Sequence, residues 1–174
     1  MDELESGMRF IEKPQHEVCK PEKTELYKRL SNSEVKIVDY IRTRKTNDRQ
    51  VLMWIEAKRT FADPKTGWKF SCEIDEIAEK FVQSLELFAA VMMNKLPDKE
   101  SEFEKFRQIY AQARFQMILV IKKHQKEWLP NVADALHQRL KRHWKIWNLD
   151  PGKDILVLNE ELAVRYQLIQ QLNS

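Results

Sequence analysis

The sequence predicts a single α/β domain, a central mixed β-sheet flanked by helices. Three observations lead there. Two apolar runs of strand character, residues 34–44 and 50–60, flank a polar turn, as in an antiparallel hairpin. A helix-period repeat follows, with Ile74, Ile77, Phe81, Leu85, Phe88 and Met92 recurring at steps of three or four. Beyond it, strand-like and helical stretches alternate, the order expected of a sheet covered on its faces.

Each element has a local reason. Residues 1–7 are acidic and expected to fray, and residues 8–11 read as a short strand. Pro21 opens a charged helical stretch to Leu30, because proline suits a first helical turn. Leu26 and Leu30 would face the core, and Ser31-Asn32-Ser33 ends the stretch. In residues 34–44, Val35, Ile37, Asp39 and Ile41 point to one side and Lys36, Val38, Tyr40 and Arg42 to the other. Residues 45–49 carry turn chemistry. Residues 51–55 are apolar on both faces, which predicts a central strand with helices above and below. A loop at 62–67 leads to a strong helix at 73–95, closed by Pro97-Asp98. Residues 102–112 read as a second helix and 114–122 as a buried strand. A basic, Trp-containing helix at 130–147, a turn at 150–152, a strand at 154–158 and a helix at 159–172 complete the chain.

The 174 residues are enough for one domain with a sizeable core. Three glycines and no Walker or dinucleotide fingerprint argue against a phosphate-cradling loop. The formal charge of +3 permits nucleic-acid binding without demanding it. Cys19 and Cys72 have no metal-ligand spacing and are expected as buried free thiols. His137 and His143 are six apart and do not share a helix face as zinc ligands do. No apolar run approaches the roughly 18 residues of a membrane span. The acidic start lacks a signal-peptide pattern, so a cytoplasmic location is expected.

Chemistry concentrates in residues 37–41, Ile-Val-Asp-Tyr-Ile, and 53–58, Met-Trp-Ile-Glu-Ala-Lys. Charges embedded in apolar strands are costly unless something pairs them. Glu56 and Lys58 are two apart, on one strand face, and Asp39 would stand beside them on the neighbouring strand. With the backbone carbonyl of Ala57, the two carboxylates make a hard oxygen site suited to Mg²⁺ or Mn²⁺. Such a cation lowers the pKa of a bound water and polarises a phosphate, and Lys58 would offset charge developing on the phosphorane oxygens. The competing explanation makes Asp39 a strand-end residue and pairs Glu56 and Lys58 across an exposed strand edge with Arg42 or Arg44.

An embedded Asp, a turn, a Glu-x-Lys strand, an amphipathic helix and a further strand together resemble the PD-(D/E)xK nuclease superfamily, over roughly residues 21–122. The resemblance implies a restriction endonuclease-like core, metal binding by Asp39 and Glu56, and catalytic assistance by Lys58. Val38 stands where the family pattern has proline, a residue that shapes the strand without touching the metal. The resemblance further implies a glutamate from the preceding helix, Glu22 or Glu25, and a polar side chain from the following one, Gln83 with Glu79 as its rival. Homodimerisation is common in the superfamily, and at this length a homodimer or a partner protein is expected.

Basic residues cluster around these segments. Arg42, Arg44, Lys65 and Lys69 are the candidates for contacting a phosphate backbone, and Lys65 and Lys69 flank Trp68. Trp144 and Trp147 could stack bases, but at i,i+3 they read as a core edge. The acidic start of the 73–95 helix, Glu73, Asp75, Glu76 and Glu79, reads as ordinary helix electrostatics. The expected function is metal-dependent phosphodiester hydrolysis, on DNA in preference to RNA. The alternatives are a catalytically inactive nuclease-fold module of a larger complex, and an unrelated α/β interaction protein.

Overall fold

The computed structural model describes residues 4–11, 17–45, 49–96 and 102–171. It is a single α/β domain around one five-stranded mixed sheet. The strands β1 (Val18–Cys19), β2 (Tyr40–Lys45), β3 (Gln50–Lys58), β4 (Arg114–Ile121) and β5 (Ile155–Asn159) lie side by side in chain order. The first three are antiparallel neighbours, whereas β3, β4 and β5 run parallel. Parallel neighbours need a crossover. Helices α2 (Trp68–Met92) and α3 (Glu104–Arg107) lie between β3 and β4; α4 (Leu129–Arg139), α5 (Lys141–Ile146) and α6 (Pro151–Asp154) lie between β4 and β5. Helix α1 (Glu25–Leu30) precedes the sheet's long hairpin and α7 (Glu160–Arg165) follows β5.

Strand alternation divides the core. Leu52 and Trp54 of β3 pack with Ile41, Phe81, Phe88, Leu119 and Leu136 under α2 and α4. Met53, Ile55 and Ala57 pack on the other face with Met8, Phe10, Ile118, Val120, Ala163 and Leu168. Both faces are therefore covered, as the unbroken apolar run at 51–55 requires. Each fully buried Leu, Ile or Phe contributes about 1.5–3 kcal/mol. Among the described residues no helix is long and apolar enough to cross a membrane.

Several elements differ from expectation. The ladder of β2 begins only at Tyr40, whereas strand was expected from residue 34. There the backbone N–H groups of Lys36 and Val38 donate to Gln83 Oε1 (2.6 Å) and Ser84 Oγ (2.9 Å), so side chains of α2 replace a neighbouring strand. Helix α2 starts five residues early, because Gly67 takes a positive φ of 56° that a side chain would resist. The expected helix at 102–112 contracts to α3, whose Phe103 and Phe106 turn in against Phe88. The 130–147 helix breaks at buried Leu140 into α4 and α5. The last helix is capped by Asn159, whose side chain accepts from the Leu162 N–H at 3.0 Å, and ends before left-handed Gln167. Leu168 and Ile169 then return to the sheet's second face, where Ile169 bridges Phe10.

The expected strand at 8–11 forms isolated bridges only, and β1 was not anticipated. Residues 4–7 do not fray: they make a turn closed by a Glu5–Met8 bridge. Residues 1–3, the centre of the expected turn at 45–49 and the Pro97-Asp98 break lie outside the described residues. Cys19 is buried as expected, but Cys72 is exposed on α2.

Candidate active site

The β2–β3 register pairs Tyr40 with Ile55. One position further along, the same register sets Asp39 opposite Glu56. Past Tyr40 the ladder has ended, so the Ala57 N–H would lack a strand partner. The Asp39 carboxylate accepts it, Oδ2 to N at 2.6 Å. The Ala57 carbonyl accepts from the Ser6 hydroxyl at 2.8 Å. Glu56 and Lys58 alternate with Ala57 and face α2.

Helix α2 supplies the counter-charges. Lys80 Nζ lies 2.7 Å from Glu56 Oε1, and Lys58 Nζ lies 3.8 Å from the same oxygen. Lys58 is closer to Glu76, at 2.7 Å. Glu56 is 1% exposed, which excludes the exposed-edge explanation with Arg42 or Arg44 as partners. Its second oxygen, Oε2, is buried and has no hydrogen-bond partner among the described residues.

Burial raises the pKa of Glu56 to about 8, and the neighbouring Asp39 adds to the shift, while Lys80 and Lys58 oppose it. Burial likewise raises Asp39 to about 6, opposed by the Ala57 N–H and Lys80 and reinforced by Glu5 and Glu22. The ammonium of Lys58 holds Glu76 below the usual carboxylate range. Lys80 is held above the usual lysine value by Glu56 and Asp39, against the effect of its own burial. Burial thus makes Glu56 hold its proton more tightly than an exposed glutamate does.

The fold thus brings Asp39, Glu56, Ala57 and Lys58 together. Of the two accessory glutamates, Glu22 acts electrostatically on Asp39 and Lys80, whereas Glu25 pairs with Lys28 on α1. Gln83 lies one turn beyond Lys80 and bonds Lys36 and Glu79, away from the three central residues. Lys80 and Glu76, the latter read only as helix electrostatics, were not expected here, and Ser6 and Glu5 were missed. The signal available for the first two was an i,i+4 Glu–Lys pair on the strongly amphipathic helix after the motif. Nothing local marks Ser6.

The basic candidates separate. Lys65 and Lys69 are exposed beside the site-proximal end of α2. Arg42 is 3% exposed and so does not offer a phosphate contact. Arg44 lies at the opposite end of β2 from Asp39, roughly 17 Å away at strand rise. Its guanidinium stacks 4.8 Å from the Tyr166 ring and donates to the Tyr166 carbonyl. Trp144 and Trp147 pack against the core, as a core edge should.

Among the described residues no group of three or more His, Cys, Asp or Glu side chains could hold a metal ion. The available donors are two carboxylates and one carbonyl. That set fits a hard divalent cation that keeps several waters, and the orphaned Glu56 Oε2 is the donor with most to gain. Comparisons with protein families, curated proteins and solved structures return no match.

Proposed function

We propose that the chain is a metal-dependent nuclease that hydrolyses phosphodiester bonds, with DNA the favoured substrate and Asp39, Glu56 and Lys58 at its centre. One observation carries the reading: two carboxylates meet at the end of a strand pair, Asp39 bonded to the Ala57 N–H and Glu56 with an unsatisfied buried oxygen, and two lysines converge on Glu56. Asp39, Glu56 and the Ala57 carbonyl would hold Mg²⁺ or Mn²⁺, which supplies Lewis acidity to a water and to the scissile phosphate. Asp39 is oriented by the Ala57 N–H, so its other oxygen is available. Glu56 would hold the cation as the ionised carboxylate, its proton released to solvent on binding. Lys58 and Lys80 offset the negative charge that develops on the phosphorus oxygens as water adds and the leaving oxygen departs.

A second reading, an inactive nuclease-fold module, draws on a different observation. Ser6 already occupies the Ala57 carbonyl, and Lys58 is drawn towards Glu76.

Calorimetric titration with Mn²⁺, followed by cleavage assays on DNA and RNA, separates the two. The nuclease reading expects binding in the micromolar to low-millimolar range that is lost in Asp39→Ala and Glu56→Ala. Lys58→Ala should keep metal affinity and lose about 100-fold or more in rate. Wild-type cleavage by all three variants would refute the assignment. Metal binding without cleavage of any substrate would favour the inactive module.

A further inference from the structure

A second surface adjoins α2 on the flank away from Glu56. A groove of about 470 Å³ runs between the start of α2 and the α4–α5 break. Phe70, Ser71 and Ile74 line one wall, and Arg139, Lys141 and Arg142 the other. Arg139 is neutralised by Asp75 at 2.5 Å. Lys141 and Arg142 are exposed and make no ion pair among the described residues. No carboxylate lines the groove, so its walls carry uncompensated positive charge.

Trp68 opens α2, one turn before the groove wall at Ser71. It is 82% exposed, an unusual state for the largest apolar side chain. On a helix, positions 68, 71 and 75 share one stripe, so the indole lies one turn before Ser71 of the groove wall and two before the partner of Arg139. Exposed Lys65 and Lys69 flank it, also without ion pairs among the described residues. Phe70, Ile74 and Ala135 give the groove an apolar floor, and Lys141 and Arg142 stand in its wall.

We infer that this groove binds single-stranded nucleic acid, with a base stacked on Trp68 and phosphates along Lys141 and Arg142. An aromatic face interleaved with unpaired cations is the arrangement that binds unstacked bases on a charged backbone. In a duplex the base faces are already stacked, and an exposed indole gains nothing from them. The inference deepens the proposed function and rests on nucleic acid being the substrate. It assigns a strand that is single on one side of the cleavage point, passing over the start of α2.

The test is fluorescence anisotropy of the full chain in EDTA, which separates binding from metal and cleavage. The probes are a labelled oligo-dT of about 12 nucleotides and a hairpin duplex of equal charge. The expected result is tighter binding of oligo-dT than of the hairpin. Trp68→Ala should weaken oligo-dT binding by about 5- to 100-fold, and Trp68→Phe should retain most of it. Lys141→Glu with Arg142→Glu should flatten the dependence of log affinity on log salt by about 1–2. Unchanged oligo-dT affinity in Trp68→Ala overturns the inference. So does equal or tighter binding of the duplex, or equal displacement by polyglutamate, which would mark a general polyanion surface. If oligo-dT binds through Trp68 yet no substrate is cut with Mn²⁺, the groove stands and the nuclease reading falls. If cleavage depends on Asp39 and no binding depends on Trp68, the reverse holds.

Discussion

Glu56 illustrates how a residue can be legible by type and unreadable by state. A carboxylate in an apolar strand is visible in the sequence, but its proton is not. Its pKa of about 8 in the fold exceeds the ordinary 4.5. Between those values the folded state holds a proton that the unfolded chain has released. Stability contributed by this group is therefore full at acid pH and declines as pH rises towards 8, by at most about 1.4 kcal/mol per unit. Asp39 acts in the same direction at lower pH, between 3.8 and about 6. Glu56→Gln keeps the shape of the protonated acid and has no proton to lose. Urea denaturation should find the variant close to wild type at pH 4 and gaining on it as pH rises, by about 2 kcal/mol between pH 6 and pH 8. A stability difference that is flat across this range would mean that Glu56 is already ionised in the apo protein. Lys80 could not be paired with Glu56 from sequence, because the two are 24 residues apart and meet only through the packing of α2 on β3.

At the scale of elements, the unexpected feature is a helix acting as a strand's partner. Residues 34–39 have strand composition, yet their backbone donors at 36 and 38 are satisfied by Gln83 and Ser84 of α2. The Val38 N–H is fully buried, so Ser84→Ala leaves a donor without an acceptor and should lower stability by about 1–3 kcal/mol. Ser84→Thr, which keeps the hydroxyl, should lose less in the same denaturation experiment; equal losses would attribute the effect to packing instead. The same contact holds Asp39 at the end of β2, so the site depends on this junction. Helix periodicity announced the core-facing side of α2 correctly. Its first turn went unread, because Trp68 and Lys69 are exposed and a helix face in solvent has no apolar period to detect.

At the scale of the molecule, one aromatic cluster joins the crossover to the sheet. Phe88 meets Trp54 edge-on at 5.4 Å and also contacts Phe103, Phe106, Tyr110 and Phe115. These rings come from α2, β3, β4 and the segment around α3. Phe88→Ala should cost about 3–5 kcal/mol, lowering the unfolding midpoint of the whole domain as a single transition. Two separated transitions would show that the crossover and the sheet are independent units.

The sequence by itself determined the α/β class, the hairpin, the long helix, the buried strand at 114–122 and the closeness of Asp39, Glu56 and Lys58. Those follow from local periodicity and from the cost of charge in apolar strands. Only the tertiary structure decided that β1 pairs at the edge, that α3 and α7 are short, that Arg42 is inside, and that Lys80, Glu76 and Ser6 join the site. Each of these depends on which distant surface needs covering or which distant donor needs an acceptor, a demand that no window along the chain contains.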